Sequence, residues 1–241
     1  MVAVVDYRIS WWIHNSKKTL QIQSITMKIF QKILVDNGYD LGSYGPNKDG
    51  VDGAPGDKTY KAATAYAKKL YKARKFKWHQ KDLIWLRMSD EFTDKFSDYC
   101  LTVCWGKVVR ISNATTKPGD YWITNPVTVG GITGAGIQLE GQIIGSHKYI
   151  KGKNKWKGFG YFRQIKNIFV ARDGNKDNIL DREIITVAPK WYGFFMHAMG
   201  RGNRIWNWSA GCLGLPLAQW KVNVDPYFED GDIINDNIIS I

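Results

Sequence analysis

Gly193-Phe-Phe-Met-His197, a ten-residue interval, and then Trp208-Ser209-Ala210-Gly211-Cys212 form the stretch on which the reading of this chain turns. A thiol becomes a thiolate near neutral pH only beside a base or an electropositive pocket, and histidine is the usual supplier. A glycine before the cysteine lets the backbone turn tightly, so that amides near the sulfur face a developing oxyanion. The chain has three Cys and four His in 241 residues. Cys212 is therefore the candidate nucleophile, His197 its base, and Gly211 the residue that shapes the turn. An inert buried thiol with a hydrogen-bonded core histidine is the alternative.

Around this stretch the texture is β: short alternating runs separated by Gly and Asn turns, from Tyr99 onward. The expected strands are Leu101–Val109, Asp120–Ile123, Gln142–Ile144, Ile165–Ala171, Ile184–Thr186 and Gly193–His197. Cys100 and Cys104 lie four apart on one expected strand, about 13 Å from end to end, beyond disulfide reach. No second Cys/His pair stands at zinc-ligand spacing.

Toward the N-terminus the period changes. Ile22, Ile25, Ile29, Phe30, Ile33 and Leu34 fall at helical spacing from Leu20 to about Asn37, and Gly38 suits the helix end. A turn-rich loop from Tyr39 to Gly56 follows, and Asp57 opens a second helix through about Tyr71 with Ala62, Ala63, Tyr66, Ala67 and Leu70 inward. Residues 1–19 read as an arm, and 76–98 as a mixed, mainly helical connector.

The formal net charge is +12. The run Lys148, Lys151, Lys153, Lys155, Lys157, Arg163, Lys166 contains no acid, whereas the tail from Asn223 is acidic. This asymmetry suits a polyanion: nucleic acid, a lipid surface or an anionic wall polymer. The eleven Trp and twelve Tyr suit sugar rings or bases, although most buried aromatics are core. No apolar run is long enough to cross a bilayer, and the N-terminus lacks a signal-peptide pattern.

Three further groups are candidates. His147 would line the cleft, binding a carboxylate or moving a proton, or would be structural. Arg201 and Arg204 would hold a substrate carboxylate in bidentate fashion, or be solvated loop charges. Asp173, Asn175, Asp177, Ile179 and Asp181 match the first part of a calcium loop, with Asn178 where glycine is usual and Ile184 where glutamate is usual. The alternatives are a structural Ca2+ and a polar hairpin turn; no other cofactor is required.

Two resemblances narrow this reading. Phe30-Gln31-Lys-Ile33-Leu34, Gly38-Tyr39, and Val51-Asp52-Gly53-Ala-Pro55-Gly56-Asp-Lys-Thr59 with Ala62-Ala63 resemble the peptidoglycan-binding type 1 module. That likeness implies a small three-helix bundle over 20–75 and wall contact through Asp52, Gly53 and Tyr39. The stretch around His197 and Ser209-Ala-Gly211-Cys212, with Thr116-Lys-Pro118-Gly119-Asp-Tyr121 upstream, resembles the L,D-transpeptidase catalytic domain of the YkuD-type β-sandwich. The implied fold class is α+β in two domains, with a mainly-β catalytic domain over 99–241.

The second likeness implies acyl transfer: the thiolate of Cys212 attacks a stem-peptide carbonyl, with His197 as base and the amides of Gly211 and Cys212 on the oxyanion. Ser209 would orient the histidine or touch substrate. After the cysteine the family has a hydrophobic residue and an Arg, where this chain has Leu213-Gly214-Leu215-Pro216; Ala210 replaces a frequent His. This variant is similar to a divergent bacteriophage branch, which implies hydrolysis by a lysin or virion-associated enzyme. Its partner is then peptidoglycan, with other virion proteins and no nucleic acid, and it acts in the periplasm or wall after holin release or from a virion. The alternatives are a cross-linking transpeptidase and an inactive wall-binding structural protein.

Overall fold

The computed structural model describes residues 24–126, 128–129, 132–152, 158–173, 185–200 and 202–241. The chain divides into two compact units, Met1–Tyr66 and Ala67–Ile241, and the division falls inside a helix.

In the first unit a helix over 24–36 (α1) buries Met27, Phe30, Gln31 and Leu34, a three- and four-residue spacing that makes one face. Ile25 and Ile29, expected on that face, are exposed. After α1 the N–H groups of Gly38 and Tyr39 turn back to the carbonyls of Val35 and Leu34, closing the helix end. The loop that follows is stitched to α1 by Gln31. Its Oε1 accepts the Asp52 and Gly53 N–H groups at 3.1 and 2.7 Å, and its Nε2 donates to Asp52 Oδ1 at 2.9 Å. Helix α2 (Asp57–Arg74) starts on an acid and ends on Lys72 and Arg74, which complements its dipole. The third helix expected of this module is not seen among the described residues, and the arm 1–19 lies outside them.

The second unit is mainly β. In order it contains β1 (Asp82–Arg87), β2 (Asp98–Cys104), β3 (Lys107–Ala114), α3 (Asp120–Thr124), β4 (Thr128–Val129), β5 (Ile132–Thr133), β6 (Ala135–Gln138), β7 (Gly141–Ile150) and β8 (Tyr161–Gln164). There follow β9 (Ile168–Asp173), β10 (Ile185–Ala188), β11 (Met196–Met199), β12 (Leu213–Pro216), α4 (Leu217–Asn223), a 3-10 turn (Asp225–Tyr227) and β13 (Ile233–Ser240).

The main sheet has eight strands in the order β12-β11-β8-β7-β13-β1-β2-β3; β10-β9-β6 form a second sheet and β4-β5 a small hairpin. The main sheet curls until its two edges meet. Just beyond β3, Thr115 exchanges both backbone hydrogen bonds with Gly214 of β12, at 2.9 and 3.1 Å. Leu83, Trp85, Tyr149, Phe162, Met196, Leu213, Leu215 and Ile238 fill the space enclosed. Trp220 of α4 packs into the same cluster, fully buried, with its Nε1–H donating to Asp225 at 3.2 Å.

Three expectations are corrected. The connector read as mainly helical carries β1, and Leu83-Ile84-Trp85-Leu86 is buried on both faces. A continuous apolar run of this length suits a central strand, since neither face meets water. Asp120–Ile123, expected as a strand, is helix α3, which begins directly after Pro118-Gly119. Leu101–Val109 is two strands: the chain turns at Trp105-Gly106, both at positive φ, as a tight hairpin requires. Cys100 and Cys104 are free thiols on β2, both buried.

Candidate active site

The site is built where the sheet closes. β11 and β12 run parallel, with Met196 opposite Leu213 and His197 opposite Gly214. Met196, Ala198, Leu213 and Leu215 point into the enclosed core. The two-residue period of a strand therefore turns His197, Gly214 and, one step before β12, Cys212 to the other face. Glycine at 214 lets β11 and the Met199 side chain pack closely there: a Cβ would lie 2.3 Å from Met199 Cε and 2.7 Å from the His197 carbonyl.

Cys212 is half-buried. Its sulfur accepts the Phe195 N–H at 3.4 Å, and its S–H is directed at the Gly193 carbonyl 3.7 Å away. His197 is 2% exposed, and its Nδ1 lies 2.8 Å from the Ala198 carbonyl. A carbonyl only accepts, so Nδ1 carries the proton and Nε2 keeps the lone pair of the neutral ring. Burial pushes His197 down to about 4, opposed by the Ala198 hydrogen bond. Burial also pushes the Cys212 thiol up to about 11, opposed by the Phe195 N–H. Both effects penalise charge, so the pair rests as neutral imidazole and neutral thiol.

Ser209 braces the turn before Cys212. Its hydroxyl donates to the Cys212 carbonyl at 2.8 Å and accepts the Gly211 N–H at 3.0 Å. The Gly211 amide, expected on the oxyanion, is thus engaged by Ser209. Gly211 sits at φ +143, and a Cβ on it would come 2.3 Å from the Gly136 carbonyl. β6 runs that close because the Gly136 N–H donates to the Ala210 carbonyl at 3.1 Å and Gln138 Nε2 to the Gly211 carbonyl at 3.4 Å.

Behind the turn, Thr116-Lys117-Pro118-Gly119 acts as a buttress. The Gly119 N–H donates to the Ser209 carbonyl at 2.9 Å. Thr116 donates from both N–H and hydroxyl to Asp98, at 2.9 and 2.7 Å, and accepts from Arg87 Nε at 2.9 Å. Lys117 lies 3.5 Å from the same carboxylate, with both side chains buried. Arg87 also donates to the Gln138 carbonyl at 2.7 Å, which links this network to the strand over Gly211. Removing one partner from such a buried pair costs about 3–5 kcal/mol, because the other charge is left uncompensated.

The remaining sequence candidates fall elsewhere. His147 is fully enclosed on β7, pushed down to about 4 by burial. Its Nε2 is 3.0 Å from the Phe194 carbonyl and its Nδ1 2.9 Å from Ser146 Oγ, so it holds the segment that leads to Phe195 rather than lining a cleft. Arg204 is tied to Asp94 and Asp120 on the surface. Arg201 lies outside the described residues, as do Asn175, Asp177, Ile179 and Asp181; Asp173, at the end of β9, is buried.

In the first unit the Asp52 carboxylate is held low chiefly by the Gln31 amide and also by the Ala54 N–H. Gly53 bonds to the same Gln31, and Tyr39 packs edge-on against Tyr66 at 6.2 Å. The Asp-Gly pair therefore has a structural role in the loop.

Ala198, Gly136 and Gln138 were not singled out from sequence. Ala198 and Gly136 act through backbone groups, for which side-chain chemistry gives no signal, and Gln138 through a side-chain amide whose partner is set by how β6 lies over the turn. Beside the thiol, Tyr161, Arg163, Lys190, Trp191, Gly193 and Phe195 line a cleft of about 320 Å³.

No protein-family model and no curated protein matches the sequence. Among solved structures, the chain is similar to an L,D-transpeptidase from Xylanimonas cellulosilytica at 16% identity, with 89% of this chain and 92% of that one covered. The TM-score of that match is 0.26, and a likeness so low carries no argument about this chain.

Proposed function

We propose that this chain is a cysteine enzyme that performs acyl transfer on peptidoglycan stem peptides. The observation that carries the reading is the pairing of a tautomer-fixed, buried imidazole with a half-buried thiol on one face of adjacent strands. A histidine with Nδ1 bound to a carbonyl presents Nε2 as the base, which is what removal of a thiol proton requires.

In the reaction, the Cys212 proton passes to His197 Nε2 as the sulfur bonds to the peptide carbonyl carbon. With the Gly211 amide held by Ser209, the Cys212 amide is the donor that this turn offers to the oxyanion. Collapse of the tetrahedral species expels the amine, which takes the proton from His197 and leaves a thioester. Water then attacks, again deprotonated by His197, to release the acid and restore the thiol; an amine in place of water would give a cross-link. The surfaces read from sequence as wall-binding, residues 20–75, would keep the enzyme on its polymer, as in a phage lysin or virion-associated hydrolase.

Digestion of purified muropeptides, followed by mass analysis, tests this. The parent chain yields shortened stem peptides and the Cys212→Ala chain does not. Identical products from both would remove the nucleophile and with it the reading.

A further inference from the structure

One row of residues runs straight across the main sheet to the nucleophile. Ile233 of β13 is opposite Lys148 of β7, and Lys148 is opposite Arg163 of β8. Phe162 is opposite Met196, which sets Arg163 beside Phe195; Met196 is opposite Leu213, which sets Phe195 beside Cys212. Lys148 and Arg163 are exposed on the outer face of this row. Like charges directly opposite on a sheet destabilise it, and this sheet keeps such a pair two strands from its thiol.

The cleft at the end of the row repeats the same sign. Arg163 and Lys190 line it with Tyr161, Trp191 and Phe195, and no carboxylate is among the lining residues. Among the described residues none of Lys148, Arg163 and Lys190 forms an ion pair. Trp191 is 70% exposed, an open ring at the rim. The cleft shares Gly193 and Phe195 with the thiol, since those residues contact the sulfur directly. Strands about 4.8 Å apart place the Arg163 backbone about 10 Å from that of Cys212. That distance is spanned by about three residues of extended peptide.

We infer that this cleft binds a free carboxylate of the acyl-donor peptide, held by Arg163 and Lys190, with Trp191 against the aliphatic part of the chain. The inference rests on acyl transfer at Cys212 for its purpose, but the binding it describes is measurable without turnover. The cleft, and not Arg204, is then the element that selects acidic donors. Arg204 is already engaged by Asp94 and Asp120.

The test uses the full chain with Cys212→Ala and two synthetic stem tetrapeptides, one with all carboxylates free and one with all of them as carboxamides, titrated calorimetrically. The free acid binds about tenfold more tightly than the amide, the scale expected of two part-exposed ion pairs. Arg163→Gln with Lys190→Gln removes that preference and leaves amide binding unchanged; Arg163→Lys with Lys190→Arg retains it, which separates loss of charge from loss of fold. Equal binding of the two peptides, no binding of either, or a preference that survives in the Gln variant overturns the inference. Failure of cleavage at Cys212 would leave this result standing, and cleavage without a carboxylate preference would overturn the cleft alone.

Discussion

His197 and Cys212 hold opposite shifts for one reason: each is screened from water by burial, which disfavours whichever form is charged. In the proposed reaction, proton transfer is therefore coupled to attack and does not precede it. Alkylation by iodoacetamide reads the difference. With the thiol near 11, the rate climbs about tenfold per pH unit from neutrality to about pH 10, because only the thiolate reacts. A rate already level by about pH 6 would mean a preformed ion pair. Cys212 and His197 could be picked out in the sequence as candidate nucleophile and base, since thiol and imidazole chemistry is carried by side chains. The neutral resting state was not, because burial of Cys212 and His197 follows from strand pairing.

Between elements, the parallel pairing of β1 and β13 brings together residues from near the two ends of the second unit. Asn235-Asp236-Asn237 lies buried in β13, and polar contacts define the register. Asp82 accepts the Asn235 amides, and Asn237 Nδ2 donates to the Leu83 carbonyl at 2.9 Å. Burial raises both Asp82 and Asp236 to about 7, and Asp236 Oδ1 has no hydrogen-bond partner among the described residues.

Between the unfolded value of 3.8 and about 7, the unfolded chain ionises Asp236 while the folded chain keeps its proton. Stability therefore falls as pH rises through that window, and the loss is complete above it. Asp236→Asn stays neutral, so its advantage over the parent grows from below about 1 kcal/mol at about pH 4 to about 4 kcal/mol at about pH 8. Denaturant midpoints at the two pH values measure it, and an equal difference at both would contradict the assignment. This strand was hidden in the sequence because Asn and Asp interrupt the apolar run. β1 was hidden because Lys77, Trp78 and Lys81 precede it and resemble a charged connector.

At the scale of the second unit, closure of the main sheet explains where the site lies. Gly214 bonds to Thr115 across the seam and stands opposite His197 on β11, so the strand that closes the sheet directly follows Cys212, the proposed nucleophile. The Thr116–Gly119 segment then supports the turn from outside, through Asp98, Arg87 and Ser209. The β character of this unit was legible from its alternating runs, but its closure depends on a pairing some hundred residues apart and leaves no local mark. The first unit is built separately, on Gln31 and the Asp52-Gly53 loop, and that loop's function in the fold was legible only as a likeness.

The central claim is that Cys212 forms an acyl bond with His197 as its base. Intact-protein mass after brief incubation with a stem tetrapeptide tests it most directly. An added mass equal to the acyl fragment is expected on Cys212, absent from Cys212→Ala. His197→Gln should slow its appearance about a hundredfold or more, the scale of general-base catalysis. An adduct that persists in Cys212→Ala, or forms at an unchanged rate in His197→Gln, would contradict it.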